Sequence, residues 1–184
     1  MIYELRTYEL KLGRTADYLA IFAAKGFPVL SRYAKPIGFW FSGPTETGLL
    51  DRVNHIWGYD SAAARIEQRG ALYRDPAWIN DLVPAVTETF VRLRGQLMTL
   101  QPGMADRLDA ALTAKLPKGP VVASFGNPGI SPSGGGIGRW TTITGTVGRV
   151  FTLDHLSDFD LEQREEPAGV ERDIWRPALF SCIQ

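Results

Sequence analysis

Glu4-Leu5-Arg6-Thr7-Tyr8 and His55-Ile56-Trp57-Gly58-Tyr59-Asp60 are the two runs whose reading decides the fold. Both are too short for a helix, and aromatic and β-branched residues alternate with others along them, so both read as strands. Side chains of an extended strand point alternately to opposite faces. Glu4, Arg6 and Tyr8 therefore share one face, and His55, Trp57 and Tyr59 share another. Leu5, Thr7, Ile56 and Gly58 lie on the plain faces. If the two strands are neighbours in one sheet, the plain apolar face is expected to take the helix layer. The polar and aromatic face then looks into a separate space, which is the candidate site.

The segments around these strands complete a pattern. Thr15 to Tyr33 carries apolar residues near helical spacing with Asp17 in its first turn, where a carboxylate suits the helix dipole. Gly26 and Pro28 predict a kink or break within it, because proline cannot donate and disfavours helical geometry at Phe27. Ile37 to Phe41 reads as a strand, returning through Gly43-Pro44-Thr45-Glu46-Thr47-Gly48 into Arg52 to Asp60 as a hairpin. Ser61 caps a helix over Ala62 to Arg74. Asp75-Pro76 interrupts it before a short helical piece from Trp78 to Val83, and Glu88 to Leu100 reads as a strand. The order β-α-β-β-α-β is the ferredoxin-like plan of an α+β protein.

On these residues the chain resembles the NIPSNAP family. The resemblance is carried by Glu4 to Tyr8, Leu10-Lys11-Leu12-Gly13, Gly38-Phe39-Trp40, His55 to Ser61 and Asp75-Pro76-Ala77-Trp78. It implies the dimeric α+β barrel, in which the sheets of two ferredoxin-like units close around a shared cavity, and it would turn the polar and aromatic face into that cavity. It implies a homodimer or higher homo-oligomer and leaves the chemistry open. Animal relatives are linked with mitochondria and with protein-protein roles in organelle turnover. Similar barrels elsewhere include cofactor-free monooxygenases, isomerases and haem-handling proteins, an analogy of fold alone.

The second half reads as a faded copy of the first, giving a tandem pseudo-repeat with units at 1–100 and 101–184. Leu10 to Leu19 finds an echo in Leu100 to Leu108, Ile37-Gly38-Phe39-Trp40 in Ile137-Gly138-Arg139-Trp140, and Arg52 to Asp60 in Arg149 to Asp154. A helix from Leu156 to Glu166 and a last strand from Trp175 through Ile183 would close the second unit. The barrel could then close within one chain or between two. Gly126 to Gly138, with six glycines, two prolines and two serines, reads as a flexible connection or a lid. Its glycines lack the spacing and Lys-Ser/Thr ending of a phosphate loop.

Composition sets further bounds. Twenty basic and twenty acidic residues give a formal net charge of zero, so no basic face favours a nucleic acid or an anionic membrane. The single cysteine, Cys182, excludes an intrachain disulfide and has no neighbouring histidine to make it a nucleophile. No apolar run suggests a membrane span or leader, so a cytoplasmic location is expected. His155 lies among acidic residues whose spacing fits no zinc or calcium signature, so no metal is expected. No attachment motif points to a cofactor.

The candidate catalytic residues are His55, Arg6 and Tyr8, and the candidate ligand-binding residues are Glu4, Trp40, Trp57 and Tyr59. A neutral imidazole can move a proton near pH 7, and arginine or a phenol can steady developing charge. The aromatic side chains suit a flat ligand, or they fill the core, as Trp78 is expected to do. Three readings follow. The first is a small apolar or aromatic metabolite bound in the barrel cavity, with cofactor-independent acid/base catalysis as one possibility. The second is a non-catalytic protein-protein interaction module. The third is haem or metal binding.

Overall fold

The computed structural model describes residues 1–43, 50–114, 119–158 and 166–181. Much of the expected turn after Ser42, most of the expected helix from Leu156, and Cys182 lie outside them. Among the described residues eight strands are present: β1 (Ile2–Leu10), β2 (Lys35–Ser42), β3 (Arg52–Tyr59), β4 (Phe90–Leu100), β5 (Val121–Gly126), β6 (Gly138–Thr142), β7 (Val150–His155) and β8 (Val170–Pro177). They form one closed barrel in the order β1-β3-β2-β8-β5-β7-β6-β4, with every pairing antiparallel. The barrel expected to close either within one chain or between two is closed here by one, and its strand pairing leaves no open edge.

Helices cover the outside of β1, β2 and β3. α1 (Thr15–Ile21) runs through a π-helical turn at Phe22–Gly26 into α2 (Phe27–Leu30), and α3 (Ala62–Leu72) follows β3. A second π-helical turn, Ala77–Leu82, leads into α4 (Val83–Thr87), and α5 (Ala105–Thr113) connects β4 to β5. Each π turn stands just before a proline, Pro28 or Pro84. A proline nitrogen cannot donate to the preceding turn, and the wider π turn absorbs the mismatch without a break. The expected kink at Gly26 thus takes the form of a π turn. Ser61 caps α3 as expected, its hydroxyl accepting from the Ala64 N–H at 3.0 Å.

The two halves of the barrel match in register. Gly38 pairs with Ile56 and Gly138 with Leu153, while Leu5 pairs with Ile56 and Ala123 with Leu153. Trp40 folds back over Gly38, and Trp140 folds back over Gly138 in the same way. A Cβ on either glycine would stand 2.2 Å from the indole ring. Both indoles are fully buried inside the barrel with Trp175, Phe151 and Met98, so neither can swing aside. Gly38→Ala and Gly138→Ala are each expected to cost about 1–3 kcal/mol through overpacking. Chemical denaturation measures both; a neutral result at either would show that its indole has room to move.

The first echo holds locally, since Leu10 and Leu100 each end a strand before a glycine turn and a helix, but it does not match the two halves in register. β4 pairs with β1 over most of its length and completes the first group of strands. The partner of β1 in the second group is β5, which sequence reading passed over. No helix follows β5: Gly126 to Gly138 stands where α1 and α2 stand in the first half. This stretch is tied in place. Asp154 accepts from the N–H groups of Gly135 and Gly136 at 2.7 to 2.9 Å, and Arg139 donates to Ser131, Pro132 and Gly134, each at 2.8 Å. The expectation of a flexible connection is therefore corrected. Its amides that would greet a phosphate already hold a carboxylate of the chain itself. β8 also begins before Trp175 and ends at Pro177, earlier than expected.

Candidate functional site

The parity expected from the sequence holds, and the direction expected for it is reversed. Tyr3, Leu5 and Ile56 pack inside the barrel with Trp40 and Trp140. Tyr8, Trp57 and Tyr59 pack outside it, against helical residues such as Tyr18, Phe22, Leu72 and Trp78. The reason is volume. Two pseudo-equivalent indoles and Trp175 occupy one end of the barrel. The polar side chains of β1 and β3 beside them, Glu4, Arg6 and His55, take the outer face, where helices leave room for their hydrogen bonds. Trp40 is accordingly separated from the other expected ligand-binding residues; its neighbour Phe39 takes its place beside His55.

Glu4 is the centre of the outer face. It is 1% exposed; its Oε1 accepts from Arg6 at 3.0 Å and from Arg65 at 2.6 Å, and its Oε2 accepts from the Tyr59 hydroxyl at 3.2 Å. Burial alone pushes this carboxyl upward, but the Arg65 hydrogen bond and the charges of Arg6, Arg69 and Arg65 outweigh it and hold Glu4 below its ordinary range. Burial and the neighbouring Glu4 push the Tyr59 phenol up to about 12. Arg6 also donates from Nε to the Tyr8 hydroxyl at 3.2 Å, and its guanidinium lies 5.4 Å from that ring. One carboxylate thus faces three guanidinium groups, a surplus of positive charge. Arg65 and Arg69, four apart on α3, were missed in sequence reading although that spacing puts them on one helix face.

His55 lies deeper. It is 1% exposed, stacked on Phe39 with ring centroids 4.9 Å apart, and met edge-on by Tyr8 at 4.8 Å. Trp57 donates its indole N–H to His55 Nδ1, which fixes the neutral tautomer with hydrogen on Nε2. That Nε2 is buried without a hydrogen-bond partner among the described residues. Burial, with Arg6 and Arg69 adding to it, pushes His55 well below the ordinary histidine range. The unfolded chain therefore binds the extra proton first, and stability is complete above about pH 6.5 and falls as pH drops below it. The loss should reach up to about 1.4 kcal/mol per pH unit. Urea midpoints measured from pH 8 to pH 5 should show this decline, and His55→Phe should flatten it; an unchanged slope would place the titration elsewhere.

Beside Arg6 and Tyr8 a cavity of about 190 Å³ opens between the sheet and the helices, lined also by Tyr18, Phe22, Trp78 and Phe90. Tyr73 and Val83 form part of its rim and are exposed. Tyr18 and Phe22, an aromatic pair one helical turn apart, were legible as a helix face; that this face lines a cavity was not. Trp78 was read as packing and is both buried and part of the lining. Of the expected catalytic residues Arg6 and Tyr8 reach this cavity, whereas His55 stands behind Tyr8 and outside the lining. Burial raises the phenols of Tyr8 and Tyr18, which stay protonated at neutral pH. Among the described residues no group of three histidine, cysteine or acidic side chains could hold a metal, and no helix is long and apolar enough to cross a membrane.

A NipSnap homolog from Dictyostelium discoideum is 32% identical over 78 residues, which is 42% of this chain and 33% of that protein. NipSnap homolog 3B of Mus musculus is 38% identical over 79 residues, 41% of this chain and 30% of that protein. The matches thus span about a third of the length of these curated relatives. Among solved structures, a protein from Agrobacterium tumefaciens is 28% identical, with a TM-score of 0.52 over 56% of this chain and 96% of its own. An uncharacterized NIPSNAP domain protein from Burkholderia xenovorans is 26% identical, with a TM-score of 0.52 over 56% of this chain and 97% of its own. A candidate monooxygenase from Fusobacterium nucleatum, 9% identical, has a TM-score of 0.54 over 96% of this chain and 92% of its own, a likeness of fold alone. The NIPSNAP family profile matches residues 3–102, more than half of the sequence and all of β1 to β4 but Ile2, and on that match the chain belongs to the NIPSNAP family.

Proposed function

We propose that the chain is a fused pair of ferredoxin-like units, residues 1–100 and 101–184, in which the first unit alone keeps a ligand pocket between sheet and helices. In this reading the site binds a flat apolar small molecule carrying a negative charge. The observation that carries it is the cavity beside Arg6: aromatic walls accept a flat body, and the surplus of guanidinium charge around Glu4 favours an anionic head. The pocket lies under the helices, not in the barrel as expected from the sequence. By register, Val122, Ser124 and Thr152 hold the second-half positions of Glu4, Arg6 and His55. That half has lost the charges, so one ligand per chain is expected. A homodimer is not needed to complete the barrel.

The reading is one of binding. The proton-transfer role expected of His55 is unsupported, since its ring is enclosed by Phe39, Phe22 and Tyr8. A second reading, a contact site for another polypeptide, draws on the exposed rim, where Tyr73 is 52% and Leu93 48% exposed. An aromatic side chain of a partner would fit the same cavity.

The test uses 2-naphthoate as probe, in calorimetry or Trp78-sensitive fluorescence. At roughly 0.3 kcal/mol per non-hydrogen atom its dissociation constant should be on the order of 1 mM. Val83→Trp, at the exposed rim, should fill the pocket and weaken binding more than about tenfold while the melting temperature is kept. Undiminished binding by that variant would remove the pocket from the account.

A further inference from the structure

One end of the barrel is filled by tryptophans, and the other is not. Where β1 and β5 end and β3, β7 and β8 begin, a second cavity of about 190 Å³ opens inside the barrel wall. Leu5 and Phe125 line its apolar part. Its charged lining comes from around the barrel: Arg52 from β3, Arg94 from β4, Arg149 from the position just before β7, and Glu171 and Asp173 from β8. This is a different place from the aromatic pocket, since Leu5 and Thr7 face it while Arg6 and Tyr8 face the helices.

We propose that this barrel mouth is a binding site for a small polyanionic oxyanion, a phosphate compound or a di- or tricarboxylate. Three features support it. Arg52 and Arg149 hold matching register positions in the two halves, Asn54 pairing with Trp40 as Phe151 pairs with Trp140. They stand as a pair of guanidinium groups contributed by the two halves. Each is tethered by a single hydrogen bond, Arg52 to Glu9 at 3.1 Å and Arg149 to Glu171 at 2.9 Å, and Arg149 also lies over the Phe125 ring at 5.1 Å. The side chains are held in, 16% and 20% exposed, and their Nε–H donors are buried without an acceptor among the described residues. A guanidinium carries five N–H donors, so most of the donor capacity here is unspent.

The acids here do not use up those donors. Glu9 is paired with Arg52, and Glu171, which is 80% exposed, with Arg149. Asp173 is the remaining acid of the lining, and burial, its main influence, raises it. Arg94 has no ion pair among the described residues. Guanidinium forks bind carboxylate and phosphate oxygens bidentately, and two of them on matching walls suit an anion with oxygens on both sides. The cavity volume suits a molecule of a few to about a dozen heavy atoms.

Isothermal titration with pyrophosphate and, separately, with citrate tests this, at ionic strength held constant with sodium chloride. Saturable binding of one stoichiometric anion per chain is expected, and Arg94→Gln should weaken it roughly tenfold or more. Arg94 is exposed and makes no ion pair among the described residues, so the variant should keep its fold, which circular dichroism checks. Val83→Trp should leave anion binding intact, separating this site from the aromatic pocket. Saturation by pyrophosphate alone would assign a phosphate compound, by citrate alone a carboxylate, and by both the shared oxyanion chemistry. No saturation beyond matched chloride, or equal affinity in Arg94→Gln, would overturn the proposal and leave the arginines as a rim of ion pairs.

Discussion

Glu4→Gln is expected to destabilise the protein by about 3–5 kcal/mol, the cost of removing one partner from a buried ion pair. Glutamine keeps the shape but leaves Arg6 and Arg65, 3.0 and 2.6 Å from the carboxylate oxygen in the native protein, to repel one another with only neutral acceptors. Urea unfolding at pH 7 measures the loss. The same substitution should alter the acid limb of stability. Because the folded Glu4 carboxyl is held below its ordinary range, its contribution is complete above about pH 4.5 and is lost as pH falls further. Glu4→Gln combined with Arg65→Met should recover part of the loss by removing one of the stranded charges. A loss under 1 kcal/mol, with an unchanged acid limb, would mean that solvent reaches this cluster.

Trp40→Ala and Trp140→Ala should each cost about 3–5 kcal/mol, and the two costs should be alike. Each indole is 0% exposed, each covers its own glycine two residues earlier, and each stands opposite the other unit's last strand: Trp40 faces Pro177, and Trp140 faces Leu100. Removing either opens a void at one of the two seams by which the halves close the barrel. Calorimetric melting should show one cooperative transition lowered to a similar extent in both variants. Separate transitions for the two halves would show that the seams do not couple them.

How far the sequence could be read is visible in single residues. Strand parity is a local property, and it placed Glu4, Arg6, Tyr8, His55, Trp57 and Tyr59 together correctly. Which way a face looks is a tertiary property, and here it was decided by Trp40, Trp140 and Trp175 filling the barrel. That choice lies in the meeting of strands more than a hundred residues apart, such as β2 with β8. The Ile-Gly-x-Trp echo was legible because it records a packing unit, an indole over a glycine. β5 was missed because Val121 to Gly126, buried on both faces, has no alternation to mark it. The two arginine positions at the barrel mouth could be aligned only once the register was known.

The central claim is that the aromatic-walled ligand pocket of this NIPSNAP protein lies between helices and sheet, while tryptophans pack the adjoining end of the barrel. A crystal structure with 2-naphthoate at saturating concentration tests it most directly. The account predicts one ring system per chain against Tyr8, Phe22 and Trp78 with its carboxylate toward Arg6, and unmoved indoles at Trp40 and Trp140. Density for the ligand among Trp40, Trp140 and Trp175 would contradict it and return the site to the barrel interior.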